Sequence, residues 1–142
     1  MRFWDTSALV PLIVQQTRSL EAISWVAEDA GIVAWTLTQT EMLSAIRRLT
    51  REGGLSARAA TEAERVTLDL MIRSQVVANI EPVKARAARL LRTHPLRAAD
   101  ALQLAAALAW ANDRPDGQIL HTFDVKLGQA AEREGFRVIP DA

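Results

Sequence analysis

The chain has 142 residues, 49% hydrophobic and 24% charged, and its 17 basic and 17 acidic side chains cancel. That length suits one domain with a single sizeable core, so residues 1–142 are read as one unit. The absence of cysteine excludes disulfides, thiolate zinc sites and thiol nucleophiles, and no apolar run approaches the roughly 20 residues of a membrane span.

Balanced charge gives no bulk signal for a nucleic-acid partner, so any such site needs local basic clustering. With only His94 and His121 as imidazoles, a metal would be held mostly by oxygen, which suits Mg²⁺ or Mn²⁺. Asp5 interrupts the N-terminal apolar segment before a signal peptide can develop, so a cytoplasmic location is expected.

Arg2-Phe3-Trp4 reads as a short strand ending at Asp5-Thr6-Ser7. A helix follows over Ala8 to Val14, with Pro11 tolerated in its first turn. A second helix is expected from Arg18 to Asp29, with Leu20, Ile23, Trp25 and Val26 on its apolar face. Ile32 to Leu37 is β-prone. Thr38 and Glu41 then match a capping box, which opens a helix ended by Gly53-Gly54. Ser56 caps a fourth helix running to about Arg73, its inner side carrying Ala60, Ala63, Val66, Leu70 and Met71.

Gln75 to Ile80 reads as a third strand, and a helix from Pro82 to about Leu91 follows, its apolar positions Val83, Ala87, Leu90 and Leu91. Arg97 to Ala111 is apolar on most sides, which marks a central, buried helix. Asn112 to Gly117 is a polar loop. Gln118 to Thr122 forms a fourth strand, Asp124 opens a helix ended by Gly135, and Phe136 to Ile139 is a last short strand. The alternation predicts an α/β protein with a mostly parallel sheet of about four to five strands between helices.

Four carboxylates stand near strand-to-helix junctions: Asp5, Glu41, Asp100 and Asp124. Singly, each has a plain role as a helix cap or a first-turn acid. Jointly they share one edge of a parallel sheet, where uncompensated repulsion would be destabilising and a divalent cation would relieve it. Thr6, Ser7 and Thr122 are candidate hydroxyl donors beside them. Arg97, Arg47, Arg48 and Arg51 are candidate phosphate contacts. Trp4, Trp25, Trp35 and Trp110 lie in apolar segments and are assigned to packing, and the two histidines to structural or exposed positions.

Four stretches resemble the motifs of PIN-domain proteins. They are Met1-Arg2-Phe3-Trp4-Asp5-Thr6-Ser7-Ala8-Leu9-Val10, Thr40-Glu41-Met42-Leu43-Ser44-Ala45, the segment Leu96 to Ala107 around Asp100, and Thr122-Phe123-Asp124-Val125-Lys126-Leu127. The segment around Asp100 is the most specific, and it departs from many relatives by carrying Gln103 in place of histidine. A chain of this size is most similar to VapC-type toxins of toxin–antitoxin pairs. The resemblance implies a three-layer α/β/α fold and a Mg²⁺- or Mn²⁺-dependent ribonuclease using Asp5, Glu41, Asp100 and Asp124. It also implies RNA as substrate, homodimerisation, a VapB-type antitoxin as partner, and products ending in 5′-phosphate and 3′-hydroxyl.

Two other readings compete. One is a PIN fold without catalysis that binds only RNA or its antitoxin. The other is a phosphoryl-handling domain resembling receivers or haloacid dehalogenases. A dehalogenase needs a second Asp two residues after the first, where Ser7 stands, and a receiver needs an early acidic pair that is missing here.

Overall fold

The computed structural model describes residues 1–141. Among them, five strands run β1 (Arg2–Trp4), β2 (Ile32–Trp35), β3 (Gln75–Val77), β4 (Ile119–His121) and β5 (Arg137–Ile139). They form one sheet in the order β3-β2-β1-β4-β5, with every pairing parallel. The strand nearest the N-terminus is therefore the central one, and all strand carboxyl ends lie on one edge.

Strand alternation sends successive side chains to opposite faces. Phe3, Val33, Trp35, Leu120 and Val138 face one layer, made by α5 (Ile80–Thr93), α6 (Ala98–Trp110) and α7 (Val125–Glu134). Trp4 and Ala34 face the other, with α1 (Thr6–Ile13), α2 (Ser19–Glu28), α3 (Thr38–Arg51) and Met71 of α4 (Ala57–Arg73). The three layers and the central position of α6 are those expected. Seven residues of α6, Ala101 and the run from Gln103 to Leu108, are buried. Its many alanines let α5 and the sheet approach closely.

Several local expectations need correction. The second strand stops at Trp35, two residues early, because Leu37 has already turned to helical angles. Thr38 is not an N-cap: Leu37 holds that position, no side chain caps the helix, and Thr38 is fully buried inside α3. The third strand stops at Val77, and Ile80 begins α5 instead of ending a strand. Helix α1 starts at Thr6, two residues before the expected Ala8. On the presumed apolar faces, Leu20 and Ile23 of α2 and Leu91 of α5 are exposed, while Trp25 and Leu90 are buried. Ser56 does cap α4, and Gly135 ends α7 with a positive φ of 110°. No helix is long and apolar enough to cross a membrane among the described residues.

Candidate active site

Asp5 follows the central strand and is held on both sides. Its backbone N–H donates to the His121 carbonyl of β4 at 3.0 Å, which extends the sheet ladder by one residue. Its Oδ2 accepts from the Ser7 hydroxyl at 2.6 Å, the Thr122 hydroxyl at 2.9 Å and the Ser7 backbone N–H at 3.2 Å. The carboxylate caps α1 and is nearly inaccessible, 4% exposed. Burial pushes its pKa above the ordinary value, while the Ser7 and Thr122 bonds pull the other way. Ser7 and Thr122 also brace the chain as it leaves β4: Ser7 Oγ accepts the Phe123 N–H at 2.8 Å, and Thr122 Oγ1 accepts the Asp124 N–H at 3.0 Å. Asp124 caps α7 by accepting the Leu127 N–H through Oδ1 at 2.8 Å.

Glu41 stands in the first turn of α3 and reaches back to α1. Its Oε2 accepts from the Thr6 hydroxyl at 3.0 Å, and its Oε1 from the Gln103 amide of α6 at 3.2 Å. Burial raises its pKa first. The Thr6 bond opposes that, and the charges on Asp5 and Asp100 add to the rise. Asp100, in the first turn of α6, is half-buried, with its pKa raised to about 6 by burial, then by Asp124 and Asp5, against the pull of Arg97.

All four acids line one open cleft of about 610 Å³ at the carboxyl edge of β1 and β4, together with Thr6 and Ser7. Thr40, Ser44, Ala45 and Arg48 of α3, Val10 of α1 and Gln16 complete the wall. Thr122 lies beneath, reaching the site through Asp5 and Asp124. Arg97 is exposed at the start of α6 and does not line the cleft. The three α3 arginines have separate fates. Arg47 is paired with Glu64 of α4, Arg48 lines the cleft, and Arg51 is exposed away from it.

The donor set suits a hard divalent cation: oxygen ligands only, no ion pair from any of the four acids to a basic side chain among the described residues, and neighbouring acidic charges that push up the pKa values of Glu41 and Asp100. Asp5, Glu41, Asp100 and Asp124 are the residues that could hold it. Among the described residues, however, no three acids or histidines are drawn into a ready-made ligand cluster. Loading a cation would require the side chains to close on it.

Reading the sequence by local pattern missed Gln103 as part of this assembly. Its signals were its place in the motif around Asp100 and a polar side chain in an otherwise apolar run, three residues after Asp100 and therefore on the same side of α6. The tryptophans pack as assigned, Trp4 and Trp35 in full and Trp110 in part. Both histidines are buried: His121 stacks on Trp25 at 4.4 Å, and His94 bonds Glu134 at 2.7 Å.

An all-parallel α/β sheet with acids gathered at the carboxyl end of its central strand defines a class of α/β proteins whose sites sit at strand ends. Within that class the chain belongs to the PIN domain family, whose model matches residues 2–139. It is 32% identical to Ribonuclease VapC49 of Mycobacterium tuberculosis over 139 residues, covering 97% of this chain and 94% of that relative. Two solved structures share the fold. VapC20 of Mycobacterium tuberculosis, described as a Sarcin-Ricin loop cleaving toxin, superposes with a TM-score of 0.66 at 21% identity, over 92% of this chain and 95% of its own. FitAcB from Neisseria gonorrhoeae gives 0.67 at 19% identity, over 97% and 96%.

Proposed function

We propose that the chain is a VapC-type ribonuclease: a single nuclease domain over residues 1–142 that hydrolyses RNA with Mg²⁺ or Mn²⁺ held by Asp5, Glu41, Asp100 and Asp124. The observation that carries the reading is the meeting of four acids from separated segments on one cleft, with no ion pair to any of them among the described residues. Kinship with the VapC ribonucleases agrees with it. From that kinship we also propose a homodimer working in the cytoplasm and restrained by a VapB-type antitoxin.

The bound cation would activate water and neutralise charge on the scissile phosphate. The chain's own residues do the rest. Ser7 and Thr122 hold Asp5 ionisable against its burial. Thr6 fixes Glu41 from the opposite wall. Arg48, on the same face of α3 as Glu41 and two turns further along, lies roughly 10 Å down the helix axis, given a rise of about 1.5 Å per residue. That offset suits a grip on a phosphate flanking the scissile one. Water attacks phosphorus, the bond to the 3′ oxygen breaks, and that oxygen takes a proton to leave a 3′-hydroxyl beside a 5′-phosphate.

Purified chain free of antitoxin should cleave structured RNA only when Mg²⁺ or Mn²⁺ is supplied. Asp5→Asn and Asp100→Asn should each abolish cleavage while circular dichroism stays native. Cleavage that persists in both variants, or proceeds in chelator, would sink the assignment. The second reading, a PIN fold that binds RNA or antitoxin without cutting, draws on the absence of a ready-made ligand cluster among the described residues. It requires RNA binding by the free chain with no cleavage under any divalent cation.

A further inference from the structure

Gln103 is 1% exposed, lies in the middle of α6 and forms no part of the cleft wall. Its amide nitrogen carries two protons and faces three oxygens: Thr6 Oγ1 at 3.0 Å, Thr38 Oγ1 at 3.0 Å and Glu41 Oε1 at 3.2 Å. Its own carbonyl oxygen is buried without a partner. Leaving such an acceptor unpaired is destabilising, because its desolvation is not repaid. An apolar side chain of similar length would fill the same space without that penalty, so what the amide contributes is its donors.

Those donors complete a closed set around one carboxylate. Thr6 donates to Glu41 Oε2 and receives from Gln103, while Gln103 donates to Glu41 Oε1. Both oxygens of Glu41 are thereby tied, one to α1 and one to α6. The Thr38 hydroxyl oxygen, on the same α3 that carries Glu41, lies within reach of the same two protons and shares them. One helical turn earlier on α6, Asp100 enters the cleft directly. Helix α6 therefore sets two acids of the site, one by carrying it and one by holding it.

We infer that Gln103 is a positioning residue for Glu41, orienting that carboxylate toward the cleft without touching substrate or metal. The inference rests on the proposed role of Glu41 in cation binding. It predicts that the effect of losing the amide passes through Glu41 and through nothing else at the site.

The test is a double-mutant cycle on the full chain, using Gln103→Leu, Glu41→Gln and the pair, read first by Mn²⁺ affinity from titration calorimetry. Gln103→Leu should weaken Mn²⁺ binding about fivefold on its own and by less than about twofold when Glu41 is already Gln, the non-additivity of residues acting as a unit. Thr38→Val, which removes the shared acceptor but leaves both Glu41 bonds, should stay within about twofold of the parent. If leucine packs poorly and thermal melts show unfolding, Gln103→Met gives the same reading with a more adaptable side chain. Equal losses in both backgrounds would mean a purely structural residue and overturn the inference.

Cleavage of RNA by the same set separates this inference from the reading beneath it. Gln103→Leu should lower kcat and leave KM within about twofold, as for a group acting on the reacting centre rather than on binding. Cleavage by the parent with additive effects overturns the inference alone. Coupled Mn²⁺ affinities with no cleavage by the parent overturn the nuclease reading alone. A parent that neither binds Mn²⁺ nor cleaves overturns both.

Discussion

The Thr122 hydroxyl donates to Asp5 Oδ2 at 2.9 Å, joining residues 117 positions apart. The same oxygen accepts the Asp124 N–H, so one threonine ties together the ends of β1 and β4 and the two acids that follow them. Thr122 is buried, and its bond is one of the forces holding the Asp5 pKa down against desolvation.

Thr122→Val keeps the shape and removes the hydroxyl. It should cost about 1–3 kcal/mol in urea unfolding, the range for a buried partner lost from a charged group. Without the bond the Asp5 pKa rises further, so the acid limb of the cleavage pH profile should move to higher pH. A variant as stable as the parent with an unmoved profile would contradict this account.

Asp100 supplies a pH prediction. Its pKa is raised from 3.8 to about 6, so the folded state prefers the protonated acid. That preference is in full force below about pH 3.8 and is lost as pH rises through about 6. Asp100→Asn removes the charge, so the Tm advantage of the variant over the parent should open between those values and level off by neutrality. Saturating Mg²⁺ at neutral pH should raise the parent's Tm and narrow the gap, because a cation that binds only the folded form stabilises it. A gap that ignores both pH and Mg²⁺ would argue against coupling of the acids.

Arg47 and Arg48 are neighbours with different surroundings. Arg47 is exposed and paired with Glu64, so Arg47→Ala should change stability by under about 1 kcal/mol and leave kinetics alone. Arg48 lines the cleft, so Arg48→Ala should raise KM for RNA by about fivefold with kcat nearly unchanged, as expected for loss of a charge-assisted phosphate contact. Equal kinetic effects of the two changes would remove Arg48 from the substrate path.

His121 gives a pH effect of opposite sign. Burial between Trp4 and Trp25 is the main cause of a pKa lowered from 6.5 to about 4, with Arg2 beside it adding to the fall and the Ile139 carbonyl opposing it. For a base with a depressed folded pKa, stability is present above pH 6.5 and lost as pH falls toward about 4. His121→Phe cannot take the proton. Differential scanning calorimetry should show the variant gaining on the parent over that interval. A constant difference in Tm across it would show that His121 has the same pKa in the folded and unfolded states.

Local pattern served well where the cause is local. Asp5 and Asp124 are caps as well as cleft acids, and both roles follow from their places at a strand end and a helix start. The alternation of Phe3 with Trp4 and of Val33 with Ala34 already encodes two buried faces. The plain role given to Glu41, completing a capping box with Thr38, proved wrong. Its carboxylate does not close a capping box but bonds Thr6 and Gln103, and Thr38 is turned inward to Gln103 from 65 residues away. A hydrogen bond between α3 and α6 leaves no trace in the spacing of either helix. Likewise, nothing adjacent in sequence distinguishes Arg47 from Arg48. The distinction comes from Glu64 on α4.

Placing the N-terminal strand at the centre of the sheet also orders events in time. Asp5 leaves the ribosome well over a hundred residues before its hydroxyl partner Thr122, 117 positions on, and its neighbour Asp124, and β1 has no β4 to pair with until then. A chain under synthesis thus carries the acid without its cage, and the cleft is assembled only once β4 has been made.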